Sequence, residues 1–169
     1  LFIQETPNPL IDEVPVLCPG EEVTLQAYGT DALIWQPDPT LSDPTISNPL
    51  ASPVQTTTYT VEDSNDCGTE TASVTVEVEV MFTDVTNDQS ICIGDVIDLE
   101  VTGGESATWS PIGGLGSPSD LATTASPTAT TTYTATVVSP AGCTSEESVT
   151  IYVVSSFPGG QVYPTINLC

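Results

Sequence analysis

Apolar and polar residues alternate strictly over residues 71–80, TASVTVEVEV, with Ala72, Val74, Val76, Val78 and Val80 on one side. A period of two predicts a strand with one buried face. Glu77 and Glu79 then fall on the wet face, where charge opposes edge-to-edge association. Residues 148–153, SVTIYV, repeat the design with Val149, Ile151 and Val153 inward. Residues 22–28 and 96–102 predict earlier strands, and Ile34-Trp35 and Thr108-Trp109 mark a further pair. The pentapeptide TTTYT, at 56–60 and again at 130–134, opens a strand whose inward positions are Tyr59 and Val61 in one copy and Tyr133, Ala135 and Val137 in the other. Before each TTTYT lies a stretch rich in Pro, Ser, Asp and Asn that accommodates only short edge strands, because proline removes ladder donors. β-Branched residues dominate and no apolar spacing settles at 3.6, so the expectation is an all-β chain without helices.

The two pentapeptides lie 74 positions apart, and so do Trp35 and Trp109, Ala51-Ser52-Pro53 and Ala125-Ser126-Pro127, and Cys18 and Cys92. Val23, Leu25 and Ala27 map in the same frame onto Ile97, Leu99 and Val101. Landmarks of this variety in one frame define an internal repeat. Later the frame drifts, with Cys67 matching Cys143 and Val74 matching Val149, as insertions in loops between fixed strands produce. The expected organisation is a tail or linker over 1–13, a module over 14–80, a short stiff connection over 81–87, a second module over 88–154, and a connection over 155–169 toward a third. The connection carries Met81 and Phe82 and no Gly, Pro or Ser cluster, so a floppy linker is not expected.

A module of roughly 75 residues is near the lower end of what folds alone and usually needs a staple. Each repeat has one early and one late cysteine. Four cysteines allow three connectivities, and repeat symmetry favours the pairings Cys18 with Cys67 and Cys92 with Cys143, each within its own module. A bridge closing about 50 residues contributes roughly 4 kcal/mol on the chain-entropy argument. Cys169, in TINLC, sits where the early cysteine of a third module belongs. The alternative is a thiol that crosslinks subunits.

Composition narrows the chemistry. The 169 residues carry 23 Asp and Glu and no Lys, Arg or His, a net charge of −23. Nucleic acid is excluded as a partner because phosphate binding relies on Lys and Arg, and an anionic membrane surface is excluded for the same reason. No apolar run approaches the roughly 20 residues that span a bilayer. With disulfides inferred, the expected compartment is extracellular or the cell surface. Catalysis lacks its usual parts: no His or Lys can serve as base for a nucleophile, and only carboxylate pairs remain for acid and base work. No cofactor is expected, apart from a divalent cation to relieve the carboxylates. Candidate calcium ligands are Glu62, Asp63 and Asp66 beside Cys67, Asp84 with Asp88 in the connection, and Asp95 with Asp98. The EF-hand spacing is absent, and a solvated acidic surface is the competing reading for each cluster.

Each module thus holds one Trp, one core Tyr and one expected disulfide, the inventory of an immunoglobulin-like sandwich. Trp35, Tyr59, Trp109 and Tyr133 are expected in the cores, the competing role for the tryptophans being a sugar-stacking platform. The ordered set of early cysteine, glycine, alternating strand, W-x-P, A-S-P, T-T-T-Y-T, late cysteine and closing S-V-T-V or S-V-T-I resembles the immunoglobulin-like, PKD-like tandem repeats of large Bacteroidota surface proteins, including gliding-motility adhesins of the SprB type. The likeness covers nearly all of 14–154. The W-D-F-G-D-G signature of PKD domains proper is absent, which keeps the resemblance at the broader class. The resemblance implies long cell-surface filaments used for adhesion, motility or scaffolding, and no catalytic residues. Partners on this reading are neighbouring copies or modules of the same protein and a surface glycan or substratum. The alternatives are a ligand-binding module and a subunit of a noncovalent or disulfide-linked polymer.

Overall fold

The computed structural model describes residues 5–30 and 32–154. Every regular element among them is a strand, and the chain divides into two compact units, Leu1–Val80 and Met81–Cys169.

The second unit shows the architecture most plainly. Its strands are β8 (Asp84–Val85), β9 (Gln89–Cys92), β10 (Ile97–Thr102), β11 (Ser106–Ser110), β12 (Ala122–Ala125), β13 (Thr131–Val138) and β14 (Thr144–Val154), numbered after the seven of the first unit given below. One sheet has the order β12-β10-β8 and the other β11-β13-β14-β9. All pairings are antiparallel except β14 with β9. Alternate residues of both sheets meet in one core: Leu99 and Val101, Ala107 and Trp109, Tyr133, Ala135 and Val137, Val149 and Ile151. The connection expected over 81–87 contains β8, and Met81 packs against this core.

The first unit repeats the plan with a more broken layer: β1 (Leu10–Ile11), β2 (Val23–Thr24), β3 (Ala27–Tyr28), β4 (Ala32–Trp35), β5 (Leu50–Ala51), β6 (Thr57–Asn65) and β7 (Gly68–Val76). One sheet is β4-β6-β7, extended by a parallel bridge from Leu17 to Val78. The opposite layer is assembled from β1-β3 and β2-β5. Backbone bonds from Leu25 N to Pro49 O and Ala27 N to Ser47 O carry the ladder across the gap between β2 and β3. Together they form a two-sheet sandwich over Leu25, Ala27, Trp35, Tyr59, Val61 and Val76. The repeat is visible bond by bond, since Trp35 N to Pro44 O recurs as Trp109 N to Pro118 O, and Ser52 N to Thr40 O as Ser126 N to Gly114 O.

The register explains the drift of the frame. Tyr59 faces Val74 and Tyr133 faces Val149, so one extra residue lies in the second hairpin. The outward threonines of TTTYT have partners as well. Hydroxyl pairs Thr58 with Thr75 and Thr60 with Ser73 recur as Thr132 with Thr150 and Thr134 with Ser148, all at 2.8–2.9 Å. Cross-strand pairs of this kind stabilise a sheet by roughly 0.2–1 kcal/mol each. One expectation fails at the end of the alternating run: β7 stops at Val76, Val78 is buried by its bridge to Leu17, and Val80 is exposed.

Candidate functional site

The early cysteine of each unit sits on the same four-residue turn. In Cys18-Pro19-Gly20-Glu21 the Glu21 amide donates to the Cys18 carbonyl at 3.0 Å and Gly20 has φ +89°. In Cys92-Ile93-Gly94-Asp95 the Asp95 amide donates to the Cys92 carbonyl at 3.0 Å and Gly94 has φ +95°. A positive φ at the third position is the reason glycine stands there in both. The acidic side chain at the fourth position closes each turn, Glu21 accepting from Cys18 N at 2.9 Å and Asp95 from Cys92 N at 3.1 Å.

The late cysteines occupy the hairpin between the two longest strands. Cys67 N donates to Asn65 Oδ1 at 2.8 Å, between the paired ends Asn65 and Gly68. Cys143 is buried, and its amide donates to Ser139 Oγ at 3.1 Å while its carbonyl accepts from Ser139 N.

These placements correct the expected within-module bridges. In the first unit Leu17 bridges Val78, two residues past the end of β7, whereas Cys67 directly precedes Gly68 at the start of β7, so Cys18 and Cys67 lie at opposite ends of the sandwich. In the second unit Cys92 is paired with Val154, whereas Cys143 directly precedes Thr144 at the other end of β14. At about 3.3 Å per strand residue the two cysteines of a module stand roughly 33 Å apart, against the 7 Å between Cα atoms that a disulfide tolerates. Repeat symmetry identified equivalent cysteines correctly but carried no information about which end of the sandwich each occupies. Cys169 lies outside the described residues.

Each sandwich also has distinct poles. The chain arrives beside the late-cysteine hairpin, where Asn65 Nδ2 donates to Glu5 O at 2.8 Å in the first unit. In the second unit Thr83 Oγ1 donates to Glu147 Oε1 at 2.6 Å and is paired with Ser145 Oγ at 3.0 Å. The chain departs beside the early-cysteine turn, along Val78 in the first unit and Val154 in the second.

The aromatic residues are core residues. Trp35, Tyr59, Trp109 and Tyr133 are each no more than 2 % exposed. Trp109 Nε1 donates to Asp120 O at 2.9 Å, while Trp35 Nε1 has no hydrogen-bond partner among the described residues. Tyr133 Oη donates to Gly113 O at 2.9 Å, and Tyr59 Oη pairs with Thr40 Oγ1. Burial pushes the phenols of Tyr59 and Tyr133 above their ordinary value. With both indoles enclosed, neither tryptophan offers a stacking face. Phe82 is 84 % exposed, and Phe157 lies outside the described residues.

The acidic candidates do not converge. Among the described residues no three His, Cys, Asp or Glu side chains form a group that could hold a metal ion. Glu62 and Asp63 are neighbours on β6 and so point to opposite faces. Glu62 and Asp66 are exposed, whereas Asp63 is fully buried and accepts from Thr30 N at 2.8 Å and from Thr30 Oγ1. Asp88 Oδ1 accepts from Thr150 N at 2.7 Å, Asp84 Oδ1 from Val85 N, and Asp95 is committed to the Cys92 turn. Asp98 is exposed on β10. Most of these carboxylates therefore act as acceptors that fix turns and strand ends. Asp63 is the functional surprise, since nothing in the acidic composition separates a buried acceptor from a solvated one.

No family model and no curated protein matches the chain. Solved structures do. The I-band fragment I67-I69 from titin aligns with TM-score 0.51 at 16% identity, covering 90% of this chain and 67% of that one. DIP-gamma IG1+IG2 aligns with TM-score 0.51 at 11% identity, covering 88% of this chain and 98% of that one. At such identities the likeness establishes the fold alone, and the fold is a tandem of immunoglobulin-like β-sandwiches.

Proposed function

We propose that this chain is a non-catalytic structural and adhesive segment of an extracellular, cell-surface filament, with its modules acting as stiff spacers. One observation carries the reading: in each sandwich the chain arrives at one pole and departs from the other. A pole-to-pole thread through each module suits a load-bearing spacer, because tension then runs along the long strands of that module. The hydroxyl-paired outer faces and the abundant surface carboxylates suit a fibre that stays solvated and does not self-associate sideways. Cys18, Cys92 and Cys143 are disulfide-bonded, which supports an oxidising compartment outside the cytosol. The resemblance to gliding-motility adhesins belongs to the same reading, with neighbouring modules or copies and a surface glycan or substratum as partners. Enclosure of both tryptophans argues against a ligand-binding module built on aromatic stacking.

The test is to label intact, unpermeabilised cells with antibodies raised against the chain, and to measure the mass of the labelled protein on a reducing gel. Surface label with a reduced mass many times the 17.6 kDa of this chain is expected. Label found only after permeabilisation, or a reduced species near 17.6 kDa, would overturn the reading.

A further inference from the structure

The second unit carries an open cleft where its chain changes sheets. β8 ends at Val85 on one sheet and β9 begins at Gln89 on the other, so residues 86–88 cross the edge of the sandwich. A cleft of about 480 Å3 lies against this crossing, lined by Asp84, Thr86, Asn87, Gln89, Glu100 and Thr102, with Val85 as its apolar wall. That volume falls within the roughly 300–1,000 Å3 of small-molecule sites. The crossing is fixed from both sides: Thr86 N donates to Glu100 O at 3.0 Å, Glu100 N donates to Thr86 Oγ1 at 2.8 Å, and Asp88 Oδ1 accepts from Thr150 N at 2.7 Å. Walls held in this way lower the ordering cost of binding.

We propose that this cleft binds an uncharged sugar ring of a glycan. The lining selects the ligand class. Carboxylates accept hydrogen bonds, side-chain amides donate and accept, and hydroxyls do both, so a ligand with closely spaced hydroxyl groups satisfies them together. An apolar ligand would strand these groups without partners. An anion would meet Asp84 and Glu100 with no Lys, Arg or His in the chain to offset them. A metal cation would find only these two carboxylates, of which Asp84 already accepts from Val85 N at 3.0 Å. The repeat supplies an independent observation. At the 74-residue offset Thr102 corresponds to Tyr28, Thr86 to Asp12 and Glu100 to Gln26. In the first unit the Tyr28 hydroxyl donates to Asp12 Oδ2 at 3.0 Å, so a hydroxyl-bearing six-membered ring lies across the strands that correspond to β8 and β10. The second unit has the smaller Thr102 there, which leaves the place open, and it presents Glu100 as a charged acceptor where the first unit has an amide. The proposal rests on the glycan partner of the filament reading and names the site that would take it.

The experiment is a titration of the 15N-labelled, oxidised full chain with the methyl pyranosides of glucose, galactose and mannose, in buffer containing EDTA, read by amide chemical shifts. With at least one sugar, saturable shifts are expected in the Asn87 and Gln89 side-chain amides and the Thr86 and Glu100 backbone amides, with a dissociation constant on the order of millimolar. The matching amides of Asp12, Gln26 and Tyr28 should not move. Glu100→Gln should weaken binding about tenfold, because a neutral acceptor replaces a charged one. Thr102→Tyr, which gives the second unit the ring of the first, should abolish the shifts while the rest of the spectrum stays that of the parent chain. Absence of saturable shifts with all three sugars, or shifts that survive Thr102→Tyr, would overturn the proposal. Ethylammonium saturating the same amides at a lower concentration than any sugar would overturn the sugar in favour of an amine. Absence of sugar binding would leave the surface labelling and parent mass unchanged, and an intracellular location would leave these shifts unchanged, so the two failures are distinguishable.

Discussion

The two tryptophans provide a matched comparison inside one molecule. Both indoles fill the centre of a sandwich at equivalent positions, and replacing either by phenylalanine removes a similar amount of buried surface. At roughly 25 cal/mol per Å2 and about 40 Å2 lost, each Trp→Phe change costs about 1 kcal/mol in transfer terms, with a further cavity contribution of similar size. The polar atoms separate them. Trp109→Phe also breaks the Nε1 bond to Asp120 O and leaves that carbonyl without its donor, adding about 1 kcal/mol or more. Trp35→Phe removes a buried N–H that has no partner among the described residues, and so recovers roughly 1–3 kcal/mol of desolvation. Trp109→Phe should therefore destabilise its unit by about 3 kcal/mol and Trp35→Phe by about 1 kcal/mol or less. Hydrogen exchange read by mass spectrometry gives the stability of each unit from the protection of β6 and β13, and the remaining tryptophan reports on the unaltered unit by fluorescence. Equal losses, or a larger loss for Trp35→Phe, would refute the reasoning.

Three further outcomes are expected. Gly103→Ala should destabilise the second unit by about 3 kcal/mol or more, because φ is +94° and the new Cβ would collide with the Phe82 carbonyl oxygen, whereas Gly20→Ala, with φ +89° and open space, should cost only about 1–2 kcal/mol in urea unfolding. Asp63→Ala should cost the first unit about 2–3 kcal/mol by leaving the Thr30 amide and hydroxyl without their acceptor, with the second unit unchanged by exchange protection. For Tyr59 and Tyr133 the folded-state pKa is raised above the unfolded value near 10, so their contribution is whole below pH 10 and is lost as pH rises from there through the folded-state pKa. Alkaline urea titrations should show this loss in the parent chain, and Tyr133→Phe should abolish it for the second unit.

Much of the fold was legible because its signal is local. A period of two places Tyr133, Ala135, Val137, Val149 and Ile151 inward whatever surrounds them, and the observed core contains all five. The 74-residue frame survives down to single backbone bonds because the loops between Trp and TTTYT have the same length in both units. What failed was long-range. Symmetry says that Cys18 and Cys92 are equivalent, not that each lies a strand's length from its late partner. The number of residues from Cys67 to Val78 carried that information, because β7 and the extended residues after it run from one end of the sandwich to the other. The acidic residues were illegible for a different reason. Carboxylates are so common here that proximity in sequence selects nothing, and alternation along β6 sends Glu62 and Asp63 to opposite faces. The missing partner of Trp35 Nε1 depends on a loop conformation that no local pattern encodes.

The account rests on each sandwich being a separate mechanical element loaded from pole to pole, and force spectroscopy on the reduced chain, held at its two ends, tests this most directly. Two discrete unfolding events are predicted. Each should release roughly 230 Å, from about 75 residues at about 3.6 Å each less a folded span of about 40 Å. A single event of twice that length, or extension without discrete events, would contradict it.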